Sequence, residues 1–330
     1  MFTHETLVYA FACLLAASVF IYAVLDGFDL GVGMLLLSAN ESEKDKMISS
    51  IGPFWDANET WLVLAVGILL VAFPHAHGEI LSALYGPITL MVLGLIFRGV
   101  AFDFRMKVPA AQKPLWNYGF FFGSYLACLA QGYMIGLYVL GLDASLPSMV
   151  FGIMAGFALS GFYSMIGACW LIIKCEDELK QKAICWAKES LLVCVFTLVA
   201  ITLLTPLLSE HIFLQWFYHN HPITLLPFPI LAVVLLSCLA MYLRPQGQDG
   251  CVSLPFVLTI AVFLLFYCGL LKAVQVEIIP GKMDMISAAS APEALEVMLW
   301  GFVILMPFLF AYHVLAYRVF RGKVKVLTYH

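Results

Sequence analysis

Charge is what this chain has least of. Only 12% of its 330 residues are Asp, Glu, Lys or Arg, against 63% hydrophobic, and a soluble fold of this size cannot hide so much apolar surface. No Lys or Arg precedes Lys44, so the start lacks the basic region of a cleavable signal peptide. The formal net charge of -4 is small and there is no basic tail, which argues against nucleic acid as a partner. The nine cysteines contain no Cys-x-x-Cys pair. Most lie in apolar runs where a thiol behaves as a small hydrophobe, so no disulfide is expected. Neither a phosphate-cradling loop nor a nucleophile triad is present. No low-complexity linker or clear internal repeat divides the chain, and residues 1–330 are expected to form a single membrane domain.

Long apolar runs are abundant instead. Stretches of about twenty residues between polar breaks predict an all-α polytopic transmembrane bundle of about nine spans. Their limits lie near 7–37, 50–73, 79–104, 117–141, 149–173, 187–208, 223–243, 253–273 and 293–317. Small residues at spacing four, Gly27/Gly31 and Gly152/Gly156/Ser160, are expected to let neighbouring helix backbones approach closely. With the amino terminus periplasmic and the carboxyl terminus cytoplasmic, all but three of the 17 Lys and Arg fall on inward loops or the tail. The exceptions are Lys272, Lys282 and Arg98, the last within a span. This satisfies the positive-inside rule and agrees with an odd number of spans. Trp116, Trp186 and Trp216 then fall near helix ends as interfacial anchors.

Into this apolar background the chain sets a few acids. Leu25-Asp26-Gly27-Phe28-Asp29-Leu30-Gly31-Val32-Gly33 interrupts a helix that is otherwise apolar from Leu7 to Leu37. Asp26 and Asp29 lie roughly 13 to 18 Å inside the first polar run at Ser38, at about 1.5 Å per residue. The second span is clean only from Trp61 to Phe73, about 20 Å against a core of about 30 Å. Its helix must therefore begin earlier, drawing Asp56, Asn58 and Glu59 inward, with Pro53 in the first turn. Within each of the pairs Asp26/Asp29 and Asp56/Glu59 the residues are three apart, so each pair shares a helix face. The third span delivers Arg98, Asp103 and Arg105 to the same depth. An ion pair of Arg98 with one Asp would explain two of these groups but not five acids against one base. A carboxyl in low dielectric tends to take up a proton, and such groups pass protons on when water links them. Asp103 and Glu59 are the members nearest the interface.

A haem in a bundle needs axial His or Met ligands at a common depth. His4, His75, His77, His211, His219 and His221 fall in outward loops or at outer helix ends, and His330 ends the chain. Only His313 lies within a span, and it is read as a packing or interfacial histidine. His75 and His77, beside Glu79, are read as a surface turn and not a metal site.

Three segments carry a resemblance: Leu25 to Met34, Ile51 to Val63 through Trp55-Asp56-Ala57-Asn58-Glu59-Thr60-Trp61, and Leu95 to Arg105 through Arg98-Gly99-Val100-Ala101-Phe102-Asp103. In order and spacing they resemble the hallmark segments of subunit II of cytochrome bd-type quinol oxidases, including the cyanide-insensitive branch. The nine-span layout and length agree. The resemblance implies a heterodimer in the bacterial inner membrane whose subunit I bears two haems b and one haem d and oxidises quinol, while dioxygen is reduced to water with cytoplasmic protons. It implies that this chain binds no haem or metal and has no catalytic redox centre. Asp56 becomes the candidate for a proton path shared with subunit I, with Asp29, Asp26 and Glu59 along it and Arg98, Asp103 and Asn58 as a supporting polar site. A dioxygen route past Trp61, a bound structural quinone, a small single-span accessory subunit and contact with membrane lipids are further implications. Ala57 departs from the Gly common at its position and leaves the charges untouched. The charges alone also fit a proton-coupled membrane transporter, which the presence or absence of a haem-bearing partner distinguishes.

Overall fold

The computed structural model describes residues 2–214, 216–217, 227–245, 250–274 and 277–324. The sequence readings of His219, His221, His330, Lys325 and residues 223–226 lie outside the described residues. The chain is a helical bundle. In order it comprises α1 (His4–Leu35), α2 (Glu41–Ile51), α3 (Trp55–Ala72), α4 (Pro74–Ala83), α5 (Tyr85–Lys107), α6 (Lys113–Val139), α7 (Leu146–Lys174), α8 (Asp177–Leu208), α9 (Glu210–Leu214), α10 (Pro227–Tyr242), α11 (Leu254–Val274), α12 (Met285–Ala288) and α13 (Pro292–Val319). Among the described residues eight helices are long and apolar enough to cross a membrane, and the 16-residue α10 is a shorter apolar helix where the seventh span is expected.

Two boundaries depart from the sequence reading. The helix carrying Asp56 does start before Trp61, but at Trp55, with Phe54 as its N-cap. Pro53 therefore sits in the turn after α2 and not in the first turn of α3. Pro74 opens α4 at its N1 position, and the third span is broken at Leu84 into α4 and α5, where Pro87 has no N–H to give the Ala83 carbonyl. His75 and His77 lie in the first turn of α4 and not in a surface turn.

Helix α1 is the axis, packed against α3, α6 and α7. Between membrane helices association depends on close van der Waals fit, and glycine supplies it here. A Cβ at Gly31 would stand 1.8 Å from the Tyr163 carbonyl oxygen of α7, and one at Gly27 would stand 2.7 Å from the Tyr163 ring. The α6–α7 contact repeats the device: a Cβ at Gly132 would meet Gly156 Cα at 2.5 Å. Trp186 belongs to the buried core around α7 and not to an interfacial belt. Helix α13 is held loosely by comparison, with only Leu295 and His313 buried along its length.

Both ends of the bundle are stapled. At one end a two-stranded antiparallel ribbon, β1 (Glu277–Ile279) with β2 (Met283–Asp284), turns through Gly281 at φ 70°. Tyr138 donates to the Ile278 carbonyl at 2.8 Å, and Ser290 N–H donates to the Ala72 carbonyl at 2.9 Å. At the other, basic end, Asn40 and Glu43 form a capping box on α2 that is built into a clamp. Arg105 donates to Asp45 at 2.7 Å and to Asn117 at 2.5 Å, and Lys182 donates to Glu43 at 2.8 Å. Lys174 Nζ donates to the Phe320 carbonyl at 2.7 Å, tying the segment after α13 to the end of α7. Partial burial works to raise Asp45, but the bonds from Arg105 and Lys113 prevail and hold its carboxyl below the usual range. Glu43 likewise lies below its usual range: burial raises it, and Lys182 with the Asn40 N–H outweighs burial.

Two outcomes follow from this packing. Gly31→Ala forces the α1–α7 contact apart and should lower thermal stability by about 3 kcal/mol or more, beyond ordinary overpacking. Gly67→Ala, inside α3, meets no atom within 4 Å and should cause no loss in the same thermal-shift assay, and a small gain of about 0.5 to 1 kcal/mol. Because Asp45 and Glu43 are depressed in the folded state, their stabilisation is present above the ordinary carboxylate range of about pH 4 and fades as pH falls through and below it. A pH series of thermal midpoints should show that loss, and Asp45→Asn should remove part of it.

Candidate functional site

The acids of α1 face inward because α1 is surrounded. Asp26 and Asp29 are fully buried, and Arg98 of α5 is 1% exposed. Charges at such depth persist only when matched, and the guanidinium does the matching with both arms. Arg98 Nη1 donates to Asp26 Oδ1 at 2.5 Å, while Nη2 donates to Glu59 Oε1 of α3. A planar fork suits two separated carboxylates as a point-charge ammonium does not. The Trp55 ring lies 5.9 Å from Arg98 Cζ, a cation–π contact that closes the first turn of α3 over the cluster.

Asp29 is partnered differently. Its Oδ2 accepts from Asn58 Nδ2 at 2.8 Å, Asn58 also donates to the Leu25 carbonyl at 3.3 Å, and Tyr317 of α13 donates to Asn58 Oδ1 at 3.2 Å. Asp26 Oδ2, Asp29 Oδ1 and Arg98 Nε are buried without a partner among the described residues. The cluster thus sets three carboxyl groups against one guanidinium, with Glu59, 28% exposed at its side chain, as its opening to the surface.

The other candidates are dispersed around this cluster. Asp56 is exposed in the first turn of α3 and makes no part of the buried ion pairs. Asp103 is exposed on α5, about 140° round the helix from Arg98 at about 100° per residue, so the structure does not bring it into the polar site. Trp61 is buried, and its indole N–H donates to His313 Nε2 at 3.2 Å. His313 Nδ1 lies 2.9 Å from the Leu309 carbonyl, so both ring nitrogens are engaged. An apolar groove of about 410 Å³ lies between α3 and α13, lined by Thr60, Leu64, Gly67, Phe302 and Leu309; Trp61 is not among its lining residues.

Sequence reasoning missed a second buried polar layer one turn from Asp26. Tyr163 donates to Gln131 Oε1 at 2.9 Å, and Gln131 donates to the Tyr22 hydroxyl at 2.8 Å, linking α7, α6 and α1. The signal was a lone amide inside an apolar span, overlooked because it carries no charge. Asn117, which accepts from the buried Arg105, was missed for the same reason.

Comparisons with known proteins agree on one family. The profile described as cytochrome bd terminal oxidase subunit II matches residues 7–320. Cytochrome bd ubiquinol oxidase subunit 2 of Bacillus subtilis is 28% identical over 330 residues, covering 94% of this chain and 95% of that one. Cytochrome bd-I ubiquinol oxidase subunit 2 of Escherichia coli is 31% identical over 210 residues, covering 58% of this chain and 55% of that one. Among solved structures, that of bd oxidase from Geobacillus thermodenitrificans superposes with a TM-score of 0.75 at 14% identity, over 96% of this chain and 98% of that chain. At that identity it shows a shared fold.

Removing the guanidinium strands two carboxylates in low dielectric, a penalty of about 3 to 5 kcal/mol. Arg98→Met should therefore abolish accumulation of the folded chain in membranes, measured by immunoblot of the detergent-extracted fraction. Arg98→Lys should recover little of it, since one ammonium cannot span both partners.

Proposed function

This chain belongs to the cytochrome bd terminal oxidase subunit II family, and from that premise we propose that it is the haem-free subunit of a quinol oxidase that carries protons toward a haem-bearing partner. As a subunit II of a bd-type oxidase it pairs with a subunit I in a multi-pass complex of the bacterial inner membrane. The complex takes electrons from quinol and reduces dioxygen to water, with haems b and d in subunit I. The protons come from the cytoplasm, onto which the basic end of the bundle faces. A quinone with a structural role and a small accessory subunit are further partners of this reading, to which no residue here is assigned.

One observation carries the proton role: acids of one helix are sorted between the surface and the interior. Asp56 stands exposed on α3, beside an apolar face that includes Val63, Val66 and Leu70. Glu59, one turn on, is half-buried and bonded to Arg98. Asp26 and Asp29 lie behind it. An exposed carboxylate on an otherwise lipid-like face is costly unless a protein partner or a water-filled crevice receives it. Asp56 is suited to exchange protons across the contact with subunit I, and Glu59 connects it to the buried acids. Asn58 and Arg98 keep those acids in place. Asp103, remote from the cluster, takes a peripheral role in this scheme. In this reading Trp61, whose indole is held by His313, borders a path for a small apolar molecule such as dioxygen.

Asp56→Asn in the intact oxidase should slow quinol-driven oxygen consumption several-fold, or lower the membrane potential it generates, while haem content and assembly stay at the unaltered level. Asp103→Asn should change neither. Unchanged turnover and potential in Asp56→Asn would remove Asp56 from the path.

A further inference from the structure

Which oxygen of the cluster takes up a proton is decided by what the other oxygens already do. Asp26 Oδ1 and Glu59 Oε1 each accept from Arg98. Asp29 has no cation bonded to it: Oδ2 accepts from Asn58 Nδ2 at 2.8 Å, and Oδ1 is without a partner among the described residues. The Asn58 amide cannot usefully turn over. Its nitrogen also faces the Leu25 carbonyl, which only accepts, and its oxygen takes the Tyr317 hydroxyl at 3.2 Å. An amide held this way at both ends acts toward Asp29 only as a donor. Tyr317 is itself fixed, its ring stacked on Phe54 with centroids 4.5 Å apart.

We propose that Asp29 is the proton-holding carboxyl of the cluster, that the proton resides on Oδ1, and that Tyr317 is a positioning residue that enforces this through Asn58. The proposal rests on the proton-path reading above and adds to it the atom and the residue that controls it. With Arg98 engaged by Asp26 and Glu59, Asp29 is the carboxyl whose charge is least matched, so it is the one that protonates. The Asn58 bond survives both states: it reaches a carboxylate oxygen when Asp29 is ionised and the carbonyl oxygen of the acid when Oδ1 holds the proton. Uptake and release at Oδ1 therefore need no movement of Asn58. The charged and titratable groups around Asp29 are Asp26 of α1, Glu59 of α3, Arg98 of α5 and Tyr317 of α13. Tyr163 of α7 is engaged with Gln131 of α6.

The test is infrared difference spectroscopy and the pH profile of oxygen consumption on the intact oxidase complex, with Asp29→Asn identifying the Asp29 carboxyl band. In the unaltered complex that band must show a carbonyl that accepts a hydrogen bond, as Oδ2 does from Asn58. A free, unbonded carbonyl there would overturn the placement on Oδ1 without recourse to any Tyr317 variant. Tyr317→Phe keeps the ring stack but removes the donor to Asn58. The bond to Asp29 then loosens, the ionised form loses support, and the alkaline midpoint of the rate should move upward by about one pH unit, part of a charge-assisted bond. The carboxyl band should shift with it. Tyr312→Phe, which removes an exposed hydroxyl of the same helix and leaves the Tyr317–Asn58 bond and the Phe54 stack intact, should leave the midpoint in place; an equal shift there would assign the effect to a general disturbance of α13 and overturn the proposal. If Asp29→Asn alters the profile and Tyr317→Phe does not, the positioning role falls and the proton path stands. If Asp29→Asn alters neither spectrum nor profile, the proton-path reading falls as well.

Discussion

A guanidinium inside a membrane bundle must be answered on both arms, and the placement of α1, α3 and α5 follows from how Arg98 is answered. Its two ion pairs draw on α1 through Asp26 and on α3 through Glu59. Desolvation of such groups is expensive, and breaking the set is worse than never having had it. The geometry it demands is supplied by features that carry no charge. Gly31 lets α1 rest on the α7 backbone at Tyr163, and the start of α3 at Trp55 lowers Asn58 and Glu59 to the level of the α1 acids.

The same constraint leaves one acid over. Both terminal nitrogens of Arg98 are engaged by Asp26 and Glu59, and Asp29 is bonded instead to a neutral amide. That amide depends in turn on α13, the helix with the fewest buried residues among the long ones. Helix α13 meets α3 through polar and aromatic contacts: Tyr317 with Asn58, His313 with Trp61 and Phe310 against Trp61. A helix attached in this way is sensitive to single hydroxyl and ring deletions where a tightly packed one would absorb them. The staples at both ends, from Ser290 to Ala72 and from Lys174 to Phe320, hold it in register with the cluster.

Much of this was legible in the sequence. Membrane class, helix number to within the short α10 and the convergence of Asp26, Asp29, Asn58, Glu59 and Arg98 follow from length, hydropathy and helical spacing. These are local or additive properties, and a lipid environment makes them decisive because every backbone polar group must be satisfied within a helix. Helix punctuation was less legible. Pro53 and Pro74 could each open a helix or precede one, and only the neighbouring turns choose. Gln131 and Tyr163 were illegible, since an uncharged amide in an apolar run becomes meaningful only when a hydroxyl from another helix meets it.

By itself the sequence determined that this chain crosses a membrane many times, that carboxyl groups are carried into it and that Arg98 must answer some of them. Only the tertiary structure decided which. It paired Arg98 with Asp26 and Glu59, gave Asp29 to Asn58, and left Asp56 and Asp103 on the surface. The physical reason is directional: helical periodicity states that two residues share a face, but which neighbour that face meets depends on helix rotation and on contact distances set by glycines elsewhere in the bundle.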